Sequence, residues 1–115
     1  MSVADRFVQA SLLGDAVDDG PAAVFVADET GKYVAVNKAA CRLVGYAREE
    51  LLALHVHDLA EGGGRWDEMR ANGTISGSTD LIRKDGSRAP FSYVAGKTTV
   101  AGMPVFVAVG LGGER

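Results

Sequence analysis

Phe25-Val26-Ala27-Asp28-Glu29-Thr30-Gly31-Lys32-Tyr33-Val34-Ala35-Val36-Asn37-Lys38-Ala39-Ala40-Cys41-Arg42-Leu43, closed by Val44-Gly45-Tyr46, reads as strand, acidic glycine turn, strand, Asn-capped helix and glycine stop. Val24 to Ala27 and Tyr33 to Val36 are rich in β-branched and aromatic residues, and Asp28-Glu29-Thr30-Gly31 between them supplies turn chemistry, with a glycine that tolerates positive φ. The pattern predicts a β-hairpin. Asn37 stands where its side-chain oxygen can take a free amide of the next helical turn, and Gly45 can close that helix in a left-handed conformation. The helix therefore leaves the sheet at once. Beyond it, Arg48-Glu49-Glu50-Leu51-Leu52 places its acids in another first helical turn.

At 115 residues the chain suits one core, burying ~65% of the surface that the unfolded chain exposes, enough to fold without staples. No apolar run approaches the ~20 residues needed to span a bilayer, and the first residues lack a basic-then-apolar signal pattern. The expectation is a cytoplasmic chain that makes no membrane contact of its own. Cys41 is the only cysteine, which forbids an internal disulfide and permits a reducing compartment. Net charge is −3 and the 12 basic residues are scattered, with only Arg83 and Lys84 adjacent, so no basic stripe offers itself to nucleic acid.

Val3, Phe7, Ala10, Leu13 and Val17 recur at three- and four-residue steps, with Asp5, Arg6, Gln9 and Asp15 between them, which predicts an amphipathic helix over residues 1–20. Its apolar stripe needs a partner. In Pro104-Val105-Phe106-Val107-Ala108-Val109-Gly110-Leu111 both alternating faces are apolar, whereas a strand with one wet face would alternate. The leading helix is therefore expected to cover the outer face of the sheet, either folded back within its own monomer or from a neighbouring subunit. In the second case Val3, Phe7 and Leu13 would meet Val105, Val107 and Val109 across a homodimer interface. The remaining strands are expected at Thr74 to Arg83, Ala89 to Thr98 and Pro104 to Leu111, giving five antiparallel strands. Between hairpin and third strand, Leu54 to Leu59 suggests short helical turns, and a helix is expected from about Arg65 to Ala71. Gly62-Gly63-Gly64 between them reads as a plain loop in preference to a hinge for ligand entry.

Catalytic chemistry finds little purchase. His55, His57 and Asp58 form the densest set of potential metal ligands, but no third or fourth His or Cys lies near them, so no metal site is assigned. Cys41 falls in the capped helix, where packing explains it better than redox sensing. There is no Gly-x-Ser-x-Gly elbow, phosphate loop or His-Glu-x-x-His, and no catalytic residue is named. The chain is not expected to be an enzyme.

The hairpin, the short capped helix and Arg48-Glu49-Glu50-Leu51-Leu52 together resemble the opening of a PAS domain, and Lys84-Asp85-Gly86-Ser87 is similar to the hairpin turn that joins the third and fourth strands in that family. The resemblance covers residues 21–111, leaving a helix before and a short tail, residues 112–115, after. It implies an α+β fold: a five-stranded antiparallel sheet with short helices on one face and the N-terminal helix on the other. It also implies tests for cofactors. The reactive cysteine of the flavin light sensors would sit in an Asn-Cys-Arg run, and the matching positions here are His55, Val56 and His57, so photoadduct chemistry is not expected. The haem-ligating histidine of oxygen-sensing relatives would fall in the Gly62 to Gly64 run, and no late cysteine stands ready for a thioester-linked chromophore. The cofactor is left unknown. Where relatives end in an Asp-Ile-Thr joint to an output helix, this chain reads Leu111-Gly112-Gly113-Glu114-Arg115, which leaves open a fragment with its effector domain elsewhere or a stand-alone regulator.

By the same resemblance the core-facing side of the sheet carries Phe25 and Tyr33 from the hairpin, Thr79 and Leu81 from the third strand, Phe91, Tyr93 and Ala95 from the fourth, and Phe106 and Ala108 from the last, with Ala23, Ala27, Ala35 and Gly110 among them. Leu43, Leu54, Val56, Leu59, Trp66 and Met69 would face them from the helices. Large aromatics alternating with very small residues either let helices approach closely or leave room for a guest. The expectation is a sensory module that takes a small apolar or aromatic molecule, or a partner, and passes a conformational bias through a homodimer. The alternative is a ligand-free dimerisation scaffold whose interior is filled by Phe25, Phe91, Tyr93 and Phe106.

Overall fold

The opening hairpin is built around one carboxylate. In the computed structural model, which describes residues 3–60 and 66–112 with side chains from residue 7 onward, Asp28 Oδ1 accepts from the Thr30 amide at 2.8 Å, the Thr30 hydroxyl at 2.6 Å and the Lys32 amide at 3.1 Å. Gly31 then takes φ +90°, which a side chain would resist. The turn joins β1 (Ala23–Ala27) to β2 (Tyr33–Val36). Before them lies α1 (Val3–Asp19); after them come α2 (Lys38–Val44), α3 (Arg48–Leu51), α4 (Val56–Leu59), α5 (Trp66–Asn72), β3 (Thr74–Ile82), β4 (Arg88–Val100) and β5 (Met103–Gly112).

The five strands form one antiparallel sheet in the order β2-β1-β5-β4-β3. The chain thus runs from β1 outward to one edge at β2, crosses by the helices to the other edge at β3, and returns through β4 to the centre at β5. Lys84 to Ser87 makes the β3–β4 turn, with Asp85 Oδ1 accepting from the Ser87 amide and hydroxyl and Gly86 at φ +89°. That turn also docks on α2. Arg83 Nε donates to the Leu43 carbonyl at 3.2 Å and the Lys84 amide to the Val44 carbonyl at 2.9 Å, satisfying carbonyls that the helix end leaves without partners. Lys84 Nζ reaches Glu50 of α3 at 2.6 Å. The expected caps of α2 are both present: Asn37 Oδ1 accepts from the Ala40 amide, and Gly45, at φ +78°, donates its N–H to the Cys41 carbonyl.

The core lies between the sheet and α2 to α5, with Leu51, Leu59 and Val44 wholly buried and Phe25, Phe91 and Phe106 at its centre. Two expectations need correction. Ala35 is exposed, and Val36 is buried in its place. A register irregularity between Val26 and Ala27 pairs Val26 with Ala35 but Ala27 with Tyr33, and one extra residue interrupts the alternation. The leading helix, moreover, does not fold back over the sheet within its own chain. Its last turn is held from the side by α2 and α3, and Phe7 (71%) and Leu13 (67%) stand exposed. Val94 and Val109 on the outer face of the sheet are exposed as well. Among the described residues of this chain, then, neither apolar surface covers the other. The expected loop at Gly62 to Gly64 and the side chain of Val3 lie outside the described residues.

Candidate functional site

Between the sheet and the helices the side chains stop short of filling the space, leaving a cavity of about 90 Å³. Its floor is the sheet. Phe25 and Tyr33 line it from the hairpin, Thr79 and Leu81 from β3, Phe91, Tyr93 and Ala95 from β4, and Phe106 and Ala108 from β5. Val56 of α4 and Trp66 and Met69 of α5 line it from above, and the cavity is partly open. Strand alternation explains why the floor is so regular, since residues two apart share a face.

The rings pack at angles that their quadrupoles favour. Phe25 meets Phe91 edge-on, centroids 5.6 Å apart, and Trp66 meets Phe106 edge-on at 4.8 Å, while Phe91 stacks on Tyr93 at 5.7 Å and 10°. Phe25 also contacts Tyr33 at 5.7 Å. Each ring is thus braced by another. Ala27, Ala95 and Ala108 are the small members of the same faces, and the free volume is what their missing side chains leave. Met69, unbranched and polarizable, is the wall best able to adapt to a guest.

Polar character is sparse. Burial, followed by the nearby Asp58 carboxylate, pushes the Tyr33 phenol well above its ordinary range, so it stays neutral and keeps a proton to donate. Tyr93 is half-buried, and the Thr79 hydroxyl is the other polar group of the floor. His55 spends its backbone N–H on Asp58 Oδ2 at 2.8 Å, a helix-start contact of α4. No set of three or more His, Cys, Asp or Glu side chains converges on a metal position among the described residues. Cys41 is half-buried against the core, and burial pushes its thiol above the ordinary value, which keeps the reactive thiolate scarce.

Two residues assigned to the cavity from sequence stand elsewhere. Leu43 packs on the core but turns towards the end of β5, where a Cβ on Gly112 would lie 2.2 Å from its Cδ1. Leu54 is also partly buried against the core, and its carbonyl accepts the Tyr33 amide at 3.1 Å, so it serves to tie the α3–α4 link to β2. Conversely, Ile75 and Ala60 line the cavity and were not singled out. Ile75 shares the two-residue period of Thr79 and Leu81, a signal that was available. Ala60 is placed by an isolated bridge to Leu81, which nothing local in the sequence announces.

Of the residues assigned to a dimer interface, Phe7 and Leu13 are exposed on α1, Val109 is exposed and Val107 half-buried on the outer face, but Val105 is buried and offers a partner no surface. The residue missed altogether is Asn37 in its second role. Beyond capping α2, its amide Nδ2 donates to the Val17 carbonyl at 2.6 Å and the Ala22 carbonyl at 2.8 Å, and its Oδ1 also accepts from the Val24 amide at 2.9 Å.

Among the described residues no helix is long and apolar enough to cross a membrane. A family model described as "PAS domain" matches residues 21–110. The fold is similar to that of a PAS domain from a two-component sensor histidine kinase, at 16% identity and TM-score 0.81 over 94% of this chain and 99% of that one. It is similar too to the PAS domain of an HTR-like protein from Haloarcula marismortui, at 18% identity and TM-score 0.80 over 94% and 95%. A domain of a sensory box sensor histidine kinase/response regulator from Geobacter sulfurreducens aligns at 18% identity and TM-score 0.78 over 92% and 96%. No curated protein matches the chain.

Proposed function

This chain belongs to the PAS domain family, and from that premise we propose that it is a sensory module of a signalling protein whose internal cavity takes a small apolar or aromatic molecule. The observation that carries the proposal is the cavity itself: about 90 Å³ of space walled by braced aromatic rings and alanines, with only hydroxyl groups as polar handles on its floor. Burying apolar surface of a guest against those rings supplies the affinity, at roughly 25 cal/mol per Å², and the Tyr33 and Thr79 hydroxyls orient it. The cavity is far smaller than haem or flavin, which argues for a guest of only a few heavy atoms. For comparison, a cavity of ~150 Å³ holds benzene.

The mechanism is a population shift. A guest that prefers one arrangement of α4 and α5 biases the sheet beneath them, and the sheet passes the bias to α1 and to the end of β5. Dimerisation completes the scheme: the apolar stripe of α1 with Phe7 and Leu13 covers the outer face of a second copy around Val107 and Val109. We read the chain as non-catalytic and cytoplasmic, with any effector domain outside it. Native mass spectrometry of the purified protein tests the reading. A small-molecule adduct on the monomer or dimer mass supports it; bare protein throughout favours a ligand-free scaffold in which the rings of Phe25, Phe91, Tyr93 and Phe106 serve only as core. Light scattering on the same sample gives the dimer, and a monomer at every concentration removes the α1 interface.

A further inference from the structure

We propose that Asn37 is a positioning residue that latches α1 to the sensory core and turns movement of the cavity wall into a change in the direction of α1. A single side-chain amide holds three segments of chain. Its Oδ1 accepts from Val24 of β1 and Ala40 of α2, and its Nδ2 donates to Val17 in the last turn of α1 and to Ala22 at the entry to β1. The orientation of the amide is fixed by its surroundings. Two N–H donors face the oxygen and two carbonyls face the nitrogen, so a flipped amide would set like against like. The residue is buried, at 4% exposure, and its capacity to donate is fully used.

Position makes this a lever as well as a staple. Phe25, a wall of the cavity, is the neighbour of Val24 in the chain and the partner of Val36 across the hairpin. Val24 bonds Asn37 twice over, its amide giving to Oδ1 and its carbonyl taking the Asn37 N–H at 3.2 Å. A shift of Phe25 therefore reaches Val17 through one residue on each side of one amide. Two surface ion pairs guard the same turn of α1: Lys38 of α2 with Asp19 at 2.5 Å, and Arg48 of α3 with Asp18. Among the described residues, these hydrogen bonds and ion pairs of the α1 end lie on the segment from β1 to α3. The rest of the helix carries exposed apolar residues and so depends on that end for its direction.

The signalling part of the proposal rests on the sensory reading above, while the mechanical part does not, and Asn37→Asp separates them. Aspartate keeps both acceptor bonds and caps helices as well as asparagine does. It has no hydrogen for the Val17 and Ala22 carbonyls. Spin labels at Gln9 and Ser92, in a Cys41→Ser background diluted with unlabelled protein, read the distance between α1 and the sheet. The distribution is expected to widen at least twofold in N37D while amide exchange in β3 to β5 is unchanged. The double variant D18N/D19N, which touches only the surface, is expected to widen it less. The latch is overturned if folded N37D keeps the narrow distribution, or if all amides lose protection together, as a purely structural role requires. If N37D does not fold, Asn37→Ser takes its place, since serine also caps helices but is too short to reach the Val17 and Ala22 carbonyls, and a narrow distribution in folded N37S overturns the latch. Because these readouts need no ligand, bare protein in the native mass spectrum would remove the sensory reading and leave the latch standing.

Discussion

At the scale of single residues the structure is governed by a few side chains that each settle several backbone groups. Asp28 closes the first hairpin with three acceptor contacts, and the Thr30 hydroxyl, chief among them, holds its carboxyl below the ordinary 3.8. A carboxyl with a lowered folded-state pKa contributes stability in full above its unfolded value, and that contribution is lost as pH falls through the folded value. Asp28→Ala is therefore expected to cost about 1–2 kcal/mol in urea unfolding at neutral pH. The gap between parent and variant should close as the pH drops below 3.8; a gap that stays constant into strong acid would show that the charged form is not what matters. Asn37 shows how far such residues can be read without coordinates. Its place before a helix reveals the cap, because that partner is three residues away, whereas the bonds to Val17 and Ala22 join segments 20 and 15 residues apart.

At the scale of elements, periodicity marked the strands to within about two residues of their ends, turn chemistry placed the β1–β2 hairpin, and the family resemblance placed the β3–β4 turn. What it could not supply was an irregularity. The extra residue opposite Ala27 turned Ala35 outward, since a shift of one position moves a side chain to the other face. The destination of α1 was illegible for a related reason. Its apolar stripe declares that something must cover it, but the polar fixings of its last turn decide the direction in which it leaves. Close approach between strands gives a sharp test of the observed register. A Cβ on Gly110 would stand 2.1 Å from the Ser92 carbonyl oxygen, and backbone cannot yield as a side-chain end can. Gly110→Ala is expected to destabilise by roughly 2–3 kcal/mol or to prevent folding, as overpacked sites do. A neutral outcome in thermal unfolding would contradict the β4–β5 pairing.

At the scale of the whole molecule, sequence and structure agree on a five-stranded antiparallel sheet carrying short helices, the PAS architecture. The floor of the cavity was legible because it follows a two-residue period. Its roof was only partly so: Val56, Trp66 and Met69 reach it, while Leu43 and Leu54 are drawn off to other contacts by the short helices that bear them. The space between floor and roof is where we propose a guest lies. The most direct measurement is the electron density inside that space in crystals of the protein as purified, with no ligand added. Discrete density of a few heavy atoms in contact with Phe91, Trp66 and Met69 is expected; a dry or collapsed interior, with the rings of Phe25, Phe91 and Phe106 closed upon one another, would overturn the proposal.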